Sequence, residues 1–200
     1  MKTLLFLFLF ASFTYQGQSQ NKVDCAPLQI SFSLPPEFKS LNNEELDKLA
    51  KRGEKAIKEE FDNDKILGWQ PGCLNLRDSL KRVILMNHFS VKEAINQDGS
   101  VKKFIDRVFD DSNEFLIRRL ETKSGMSYKK SDVVNQSTIT IAGYQVRKNA
   151  LTIKKDNTLL IMSRYYFFEK NGRLYFLSFT AGKANDNLQI EKAIEAAVKM

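Results

Sequence analysis

Apolar and polar side chains alternate with a period of two through most of the chain after residue 132. Four segments show this pattern, separated by short connections: 133–141, 144–153, 158–168 and 173–181. A period of two places every second side chain on the same side of an extended backbone, which predicts β-strands. Because the connections are short, consecutive strands should pair in opposite directions, and we expect an antiparallel meander.

Two further strands are predicted in the first half of the chain. Residues 28–34 alternate between apolar and polar positions and end at two prolines, which is typical of a half-buried strand. Residues 81–89 form a second apolar run of strand length. The stretch 62–79 contains Gly68, Pro71 and Gly72, and it is predicted to be a loop.

Three segments carry apolar residues at helical spacing. Residues 41–61 form an amphipathic pattern, with Asn42 or Asn43 as the N-cap and glutamates in the first turn. Residues 98–121 predict one long helix or two shorter ones that begin at Asp98 or Ser100. A terminal helix within 185–200 is expected to pack through Leu188, Ile190, Ala193, Ile194, Ala197 and Val198.

The segment "RYYFFEKNGRLYFLSF" (164–179) predicts a β-hairpin that is rich in aromatic residues. Asn171-Gly172 is a strong signal for a two-residue turn, which places Lys170 opposite Arg173. This register predicts two apolar faces, with Tyr166, Phe168, Tyr175, Leu177 and Phe179 on one and Tyr165, Phe167, Leu174 and Phe176 on the other.

Two filled faces decide the predicted fold class. An antiparallel sheet with one wet face should alternate apolar and polar residues, and this hairpin does not. We therefore predict an α+β fold, a three-layer αβα sandwich with a central, mainly antiparallel sheet. The alternative is an exposed aromatic platform that stacks sugars or bases, but such platforms set a few aromatic residues among polar neighbours.

The N-terminus has the pattern of a secretory signal peptide. A single Lys2 precedes the apolar run from Leu4 to Phe13, and small residues follow at Gly17 and Ser19. Ten residues span about 15 Å as a helix, whereas a bilayer core is roughly 30 Å thick. We predict a signal peptide at 1–19, one domain at 20–200, and an exported protein that is periplasmic or extracellular and does not span a membrane.

The predicted export affects the expected redox state of the only two cysteines, Cys25 and Cys73. An oxidising compartment permits a disulfide, and only one pairing exists. The bond would contribute about 3–4 kcal/mol by chain entropy. The alternative is a pair of buried thiols, and the disulfide is favoured.

The formal net charge of +7 becomes +6 when Lys2 leaves with the signal peptide. The bases are scattered as doublets such as Lys102-Lys103 and Lys154-Lys155, without the stripe that is typical of nucleic-acid binders. We therefore expect no nucleic-acid partner. An anionic envelope surface is compatible with this charge.

The order of these segments resembles a known superfamily. A leading strand ends in "SLPPEF", a late block contains Gly143 after a strand and the "RYYFFEKNGRLYFLSF" hairpin, and an amphipathic helix closes the chain. Over roughly residues 28–199 this order resembles the Mog1/PsbP-like superfamily of single αβα-sandwich domains. The resemblance implies a non-enzymatic accessory or binding module, as in members that assist photosystem assembly or bind a small GTPase. No functional residue is carried over, because the matching motifs are apolar patterns.

Candidate chemistry is sparse. His88 is the only histidine, and neither cysteine lies in a CxxC pair, so no metal site and no cofactor are predicted. No GxSxG elbow or phosphate-binding glycine loop occurs, and no catalytic residue is assigned. The only tryptophan, Trp69, lies in the glycine- and proline-containing stretch "ILGWQPGC" and is the one candidate binding residue.

These observations favour an exported, non-catalytic binding or accessory module whose partner is a protein or an anionic envelope surface. Two alternatives remain open at this point. One is a secreted hydrolase with an unrecognised site that involves His88, and the other is a carbohydrate-binding domain that uses Trp69.

Overall fold

The computed structural model describes residues 21–49, 51, 55, 70–125, 127, 134–155, 158–182 and 187–198. The predicted signal peptide, the C-terminal part of the first predicted helix and Trp69 lie outside the described residues. None of the described helices is both long and apolar enough to cross a membrane.

The described residues contain nine strands in two sheets. In chain order they are β1 (Asn21–Cys25), β2 (Ile30–Leu34), β3 (Lys39–Ser40), β4 (Gln70–Arg77), β5 (Val83–Ser90), β6 (Val134–Ile141), β7 (Tyr144–Lys155), β8 (Thr158–Lys170) and β9 (Arg173–Ala181). β1 and β2 pair with each other, and the other seven form an antiparallel sheet in the order β3-β4-β5-β9-β8-β7-β6. The predicted meander is therefore confirmed as β6–β9, and β5 joins it beside β9.

In the part of the chain that the structure describes, four helices accompany the sheets: α1 at 43–49, α2 (Val91–Asp98), α3 (Val101–Ser124) and α4 (Asn187–Glu195). Asn42 caps α1 in a reciprocal capping box, since its Oδ1 accepts from the Glu45 N–H at 2.9 Å and its N–H donates to the Glu45 carboxylate at 3.0 Å. Ser100 caps α3 by accepting from the Lys103 N–H. Both N-caps are among the residues that the sequence predicts.

The β8–β9 hairpin has the predicted register and buries both faces. Lys170 pairs with Arg173, Phe168 with Tyr175, and Tyr166 with Leu177. On one face the core includes residues of α2 and α3, and on the other it includes residues of α4 and of the β1–β2 hairpin. The three-layer architecture is confirmed, with a β-hairpin beside α4 in one outer layer.

Three local predictions differ from the structure. Residues 70–77 form β4 instead of a loop, and α2 and β1 were not predicted. Pro71 and Gly72 suggested a loop, but the β4–β5 register shifts between Pro71 and Asn75, and this irregularity accommodates both residues within a strand. Leu74 and Leu76 then alternate inward and are buried.

Gly72 is held close to the neighbouring strand, which leads to a testable prediction. A Cβ added there would lie 2.7 Å from the backbone oxygen of Met86, so the backbone would have to move. We expect Gly72→Ala to lower the free energy of unfolding by about 1–3 kcal/mol, measured by urea denaturation. Gly182→Ala is the matched control, because its nearest atom is 3.9 Å away. Equal stability of the two variants would contradict the close approach.

Candidate functional site

Three turns meet at one end of the large sheet, around Tyr144. They are the β1–β2 turn (26–29), the β6–β7 turn (142–143) and the β8–β9 turn (171–172). The Tyr144 hydroxyl donates to the carbonyl of Leu28 at 2.6 Å, and the Lys170 ammonium lies 5.6 Å from the Tyr144 ring centroid. We define the turn-end site as the following residues at this end of the sheet: Leu28, Gln29, His88, Ala142, Gly143, Tyr144, Lys170 and Arg173.

An aromatic row crosses the sheet beneath the turn-end site. The Tyr144 ring lies 6.1 Å from Phe168, Phe168 is opposite Tyr175, and the Tyr175 ring lies 5.8 Å from His88. Phe168 and Tyr175 are buried in the core, whereas Tyr144 and His88 are half-buried. The row therefore supports the surface from below and is not an exposed stacking platform.

A small open depression lies between two of the turns. Its volume is about 230 Å³, and it is lined by Leu28, Gln29, Ala142, Gly143 and Tyr144. Gln29 and Ala142 have positive φ angles of 58° and 48°, which are uncommon outside glycine. The volume is below the range of about 300–1,000 Å³ that is typical of small-molecule pockets. The five lining residues carry no carboxylate, imidazole or thiol, so this depression offers contact surface rather than acid–base groups.

Two bases flank the β8–β9 turn, and one of them, Lys170, lies over the ring of Tyr144. Lys170 and Arg173 are direct cross-strand partners beside the hairpin turn, so their side chains project on the same side. Lys170 is half-buried and Arg173 is exposed. Within the described part of the chain neither forms an ion pair, so the turn-end site carries uncompensated positive charge.

His88 lies two residues from the end of β5, on the same side as Tyr175. Burial lowers the pKa of the imidazole, and the nearby Arg173 lowers that pKa further. His88 is therefore neutral at pH 7. Among the described residues no hydrogen bond joins His88 to a serine or a carboxylate.

The single histidine makes this electrostatic environment measurable. We expect the His88 pKa to lie below its ordinary value of 6.5, and Arg173→Gln to raise it because a repelling charge is removed. NMR titration of the imidazole resonances measures both values. Lys103→Gln removes an exposed base on α3 and should leave the pKa unchanged. A wild-type pKa at or above 6.5 would contradict this description.

A second charged cluster lies beneath α4, on the same side of the sheet. Lys148 contacts Glu191 at 2.7 Å and Glu195 at 2.5 Å, and the Arg164 Nε donates to Glu191 at 2.6 Å. The Tyr166 hydroxyl donates to Glu195 at 3.3 Å. Burial, and then the two carboxylates, raise the pKa of Tyr166. We call these five residues the α4 cluster.

The α4 cluster joins α4 to β7 and β8, and each charged side chain in it has an oppositely charged partner. The predicted apolar face of the terminal helix is correct at Ile190 and Ile194, which are buried, and Ala193 is half-buried. It is wrong at Leu188, which is 57% exposed. The helix ends at Glu195, before the buried Ala197 and the exposed Val198. Glu191 occupies the buried position because Lys148 and Arg164 neutralise it.

Two other buried polar groups were not predicted from the sequence. Arg82 is fully buried and contacts Asp78 and, at 3.0 Å, Glu37. Asn113 of α3 and Asn149 of β7 exchange two side-chain hydrogen bonds of 3.1 and 2.8 Å. Each group joins segments that are distant in sequence or folded back by a turn. Arg82, Asp78, Asn113 and Asn149 are buried, whereas Glu37 is exposed.

The residues that the sequence singled out as site candidates have different outcomes. Cys25 and Cys73 form a disulfide, in agreement with the favoured pairing. Trp69, the candidate binding residue, lies outside the described residues, and its role remains a prediction. Across the described residues, no group of three or more histidine, cysteine and acidic side chains is arranged to hold a metal ion.

Comparison with known proteins gives similarities to solved structures. No family model and no curated protein matches the chain. Similar structures include PsbP (CyanoP) from Synechocystis sp. PCC 6803, with a TM-score of 0.41 and 11% identity over 92% of each chain. LpqN, involved in cell envelope biogenesis of Mycobacterium tuberculosis, has a TM-score of 0.34 and 8% identity over 92% of this chain and 87% of that one.

A third similar structure is from Bacteroides thetaiotaomicron VPI-5482, with a TM-score of 0.39 and 12% identity. The match covers 90% of the present chain and 48% of the Bacteroides protein. The present chain therefore spans about half the length of that protein. With TM-scores below 0.5 and identities of 8–12%, these similarities carry no functional argument, and function is argued from the residues of this chain.

Proposed function

We propose that this chain is an exported, non-catalytic binding or accessory module that contacts a partner protein through the turn-end site. The observation that carries the proposal is the uncompensated pair Lys170 and Arg173 beside a small open depression. The depression suits a side chain of a partner better than an enclosed substrate.

The Cys25–Cys73 disulfide supports two further parts of the proposal. The Cys25–Cys73 disulfide is the kind of bond that persists in oxidising compartments, which agrees with the signal-peptide pattern and with a periplasmic or extracellular location. It also fixes the β1–β2 hairpin, whose turn contributes Leu28 and Gln29 to the site. Such a rigid surface binds with little loss of conformational entropy.

Site-specific photo-crosslinking tests this proposal. A crosslinking residue replaces Lys92, which is exposed and lies close to the β8–β9 turn. The neighbouring residue Val91 donates its N–H to the carbonyl of Gly172 in that turn. The matched control replaces Leu80, which is 60% exposed in the β4–β5 turn at the opposite end of the sheet. We expect defined protein adducts in the native envelope from position 92 and none from position 80.

The competing hydrolase hypothesis makes an opposite prediction. Fluorogenic ester, peptide and glycoside substrates are offered to the purified wild-type chain and to the His88→Ala variant. Turnover by the wild type that the folded variant loses, together with no adduct from position 92, would overturn the binding proposal.

A further inference from the structure

The charge arrangement at the turn-end site points to the chemistry of its ligand. Cross-strand partners have Cβ atoms about 5 Å apart, and like charges placed directly opposite destabilise a sheet. Lys170 and Arg173 are such a pair. A bound anion between them would replace this repulsion with two attractive contacts.

Several bases on the same fold lie against carboxylates, whereas exposed bases such as Lys103 form no ion pair among the described residues. Arg107 contacts Asp98 at 2.8 Å, Arg147 contacts Asp106 at 2.5 Å, and Lys148 and Arg164 share Glu191. Lys39 and Arg77 also face each other, on β3 and β4. Lys170 differs from them because it lies over the ring of Tyr144, which lines the depression, while it faces a second cation. The hairpin therefore holds its two bases ready for an anion from outside the chain.

We propose that Lys170 and Arg173 bind carboxylate side chains of an acidic peptide segment in the partner protein, with a neighbouring side chain of that peptide in the Tyr144 depression. This inference rests on the proposed binding function and specifies the chemistry of the partner. The depression, at about 230 Å³, has room for a single side chain beside the two charges.

A peptide fits this surface better than an anionic membrane or polysaccharide does. Glu169 is exposed next to Lys170 in the chain, and Glu93 is exposed in the first turn of α2, which begins beside Gly172. An extended anionic surface would meet these carboxylates as well as the two bases. A peptide presents its acidic side chains at one point and avoids that repulsion.

Fluorescence anisotropy with a labelled octaglutamate peptide tests the inference on the chain lacking its signal peptide. We expect binding to the wild type that weakens between low ionic strength and about 0.15 M salt, where the Debye length is about 8 Å. Arg173→Glu should weaken binding by about tenfold, since it removes one contact and gives Lys170 an internal partner. Lys103→Glu makes the same change in net charge on α3 and should alter binding by less than about twofold.

Stability separates a binding role from a structural one. Arg173→Glu converts a repulsive cross-strand pair into an attractive one, so its thermal unfolding midpoint should equal or exceed that of the wild type. Lost peptide binding with an undiminished midpoint supports the inference. Equal weakening by Arg173→Glu and Lys103→Glu would overturn it, because general charge would then account for binding.

Two further outcomes distinguish this inference from the function on which it rests. Binding to phosphatidylglycerol vesicles but not to octaglutamate would overturn the peptide assignment in favour of a lipid surface. Position 92 adducts that form equally in the wild type and in the Arg173→Glu variant would overturn the inference and leave the proposed binding function intact.

Discussion

Replacing Glu191 by glutamine is expected to lower the free energy of unfolding by about 3 kcal/mol, within the usual cost of removing one partner from a buried ion pair. The carboxylate of Glu191 is 8% exposed and serves both Lys148 and Arg164. A neutral amide leaves these two bases with Glu195 as their remaining carboxylate in the α4 cluster, and of the two bases Glu195 forms an ion pair with Lys148. Urea denaturation measures the effect.

Glu195→Gln is the matched control for this variant. Its carboxylate is 32% exposed and also contacts Lys148, so water compensates for part of the lost charge. We expect a loss of no more than about 1 kcal/mol. If Glu191→Gln were as stable as the wild type, the α4 cluster would contribute no net stability to the attachment of α4.

The same cluster predicts a dependence of stability on pH. Burial alone would raise the pKa of Glu191, but hydrogen bonds from Arg164 and Lys148 outweigh burial and lower it below the ordinary value of 4.5. A carboxyl group with a lowered pKa in the folded state stabilises the fold above its unfolded pKa, and that stability is lost as the pH falls through the folded pKa. The stability difference between wild type and Glu191→Gln should therefore be constant above about pH 5 and shrink below about pH 4.5.

Removing the disulfide is expected to cost about 4 kcal/mol, the chain-entropy value for a loop of this length. The variant is the double substitution Cys25→Ala and Cys73→Ala, which leaves no odd thiol. The bond joins residues separated by 48 positions and is the covalent connection between the β1–β2 hairpin and β4. Urea denaturation gives the global loss, and hydrogen exchange should show earlier opening of β1 and β2 than of β8 and β9.

Reduced wild-type protein is the control that separates the covalent link from packing. The two sulfurs lie 3.7 and 3.2 Å from the Met86 sulfur, so the alanine substitutions also remove packing contacts. Reduction retains these atoms and should reproduce most of the loss. A stable reduced protein would mean that packing, not the covalent link, holds the hairpin in place.

Parts of the turn-end site were predictable from the sequence. Asn171-Gly172 specifies a two-residue turn, and this turn places Lys170 opposite Arg173 before any tertiary contact is known. The approach of the β1–β2 turn to Tyr144 was not predictable, because the contact from Tyr144 to Leu28 joins residues 116 positions apart. The depression exists only where these two distant turns meet.

The error in the terminal helix has a related cause. Helical spacing correctly placed Ile190 and Ile194 on the buried face, but hydrophobicity also favoured Leu188 over Glu191. Burial of a carboxylate depends on which charges face it, and Lys148 and Arg164 precede Glu191 by 43 and 27 positions. No pattern within the helix contains that information.

By itself, the sequence determined the elements whose causes are local. These are the period-two strands β6 to β9, the register of the β8–β9 hairpin and the N-caps Asn42 and Ser100, which depend on neighbouring residues. The tertiary structure decided the placement of β5 beside β9, the separate β1–β2 sheet, β4 as a strand and the buried charges. Each of these depends on the free energy of groups brought together from distant parts of the chain, and that energy exists only once both groups are in place.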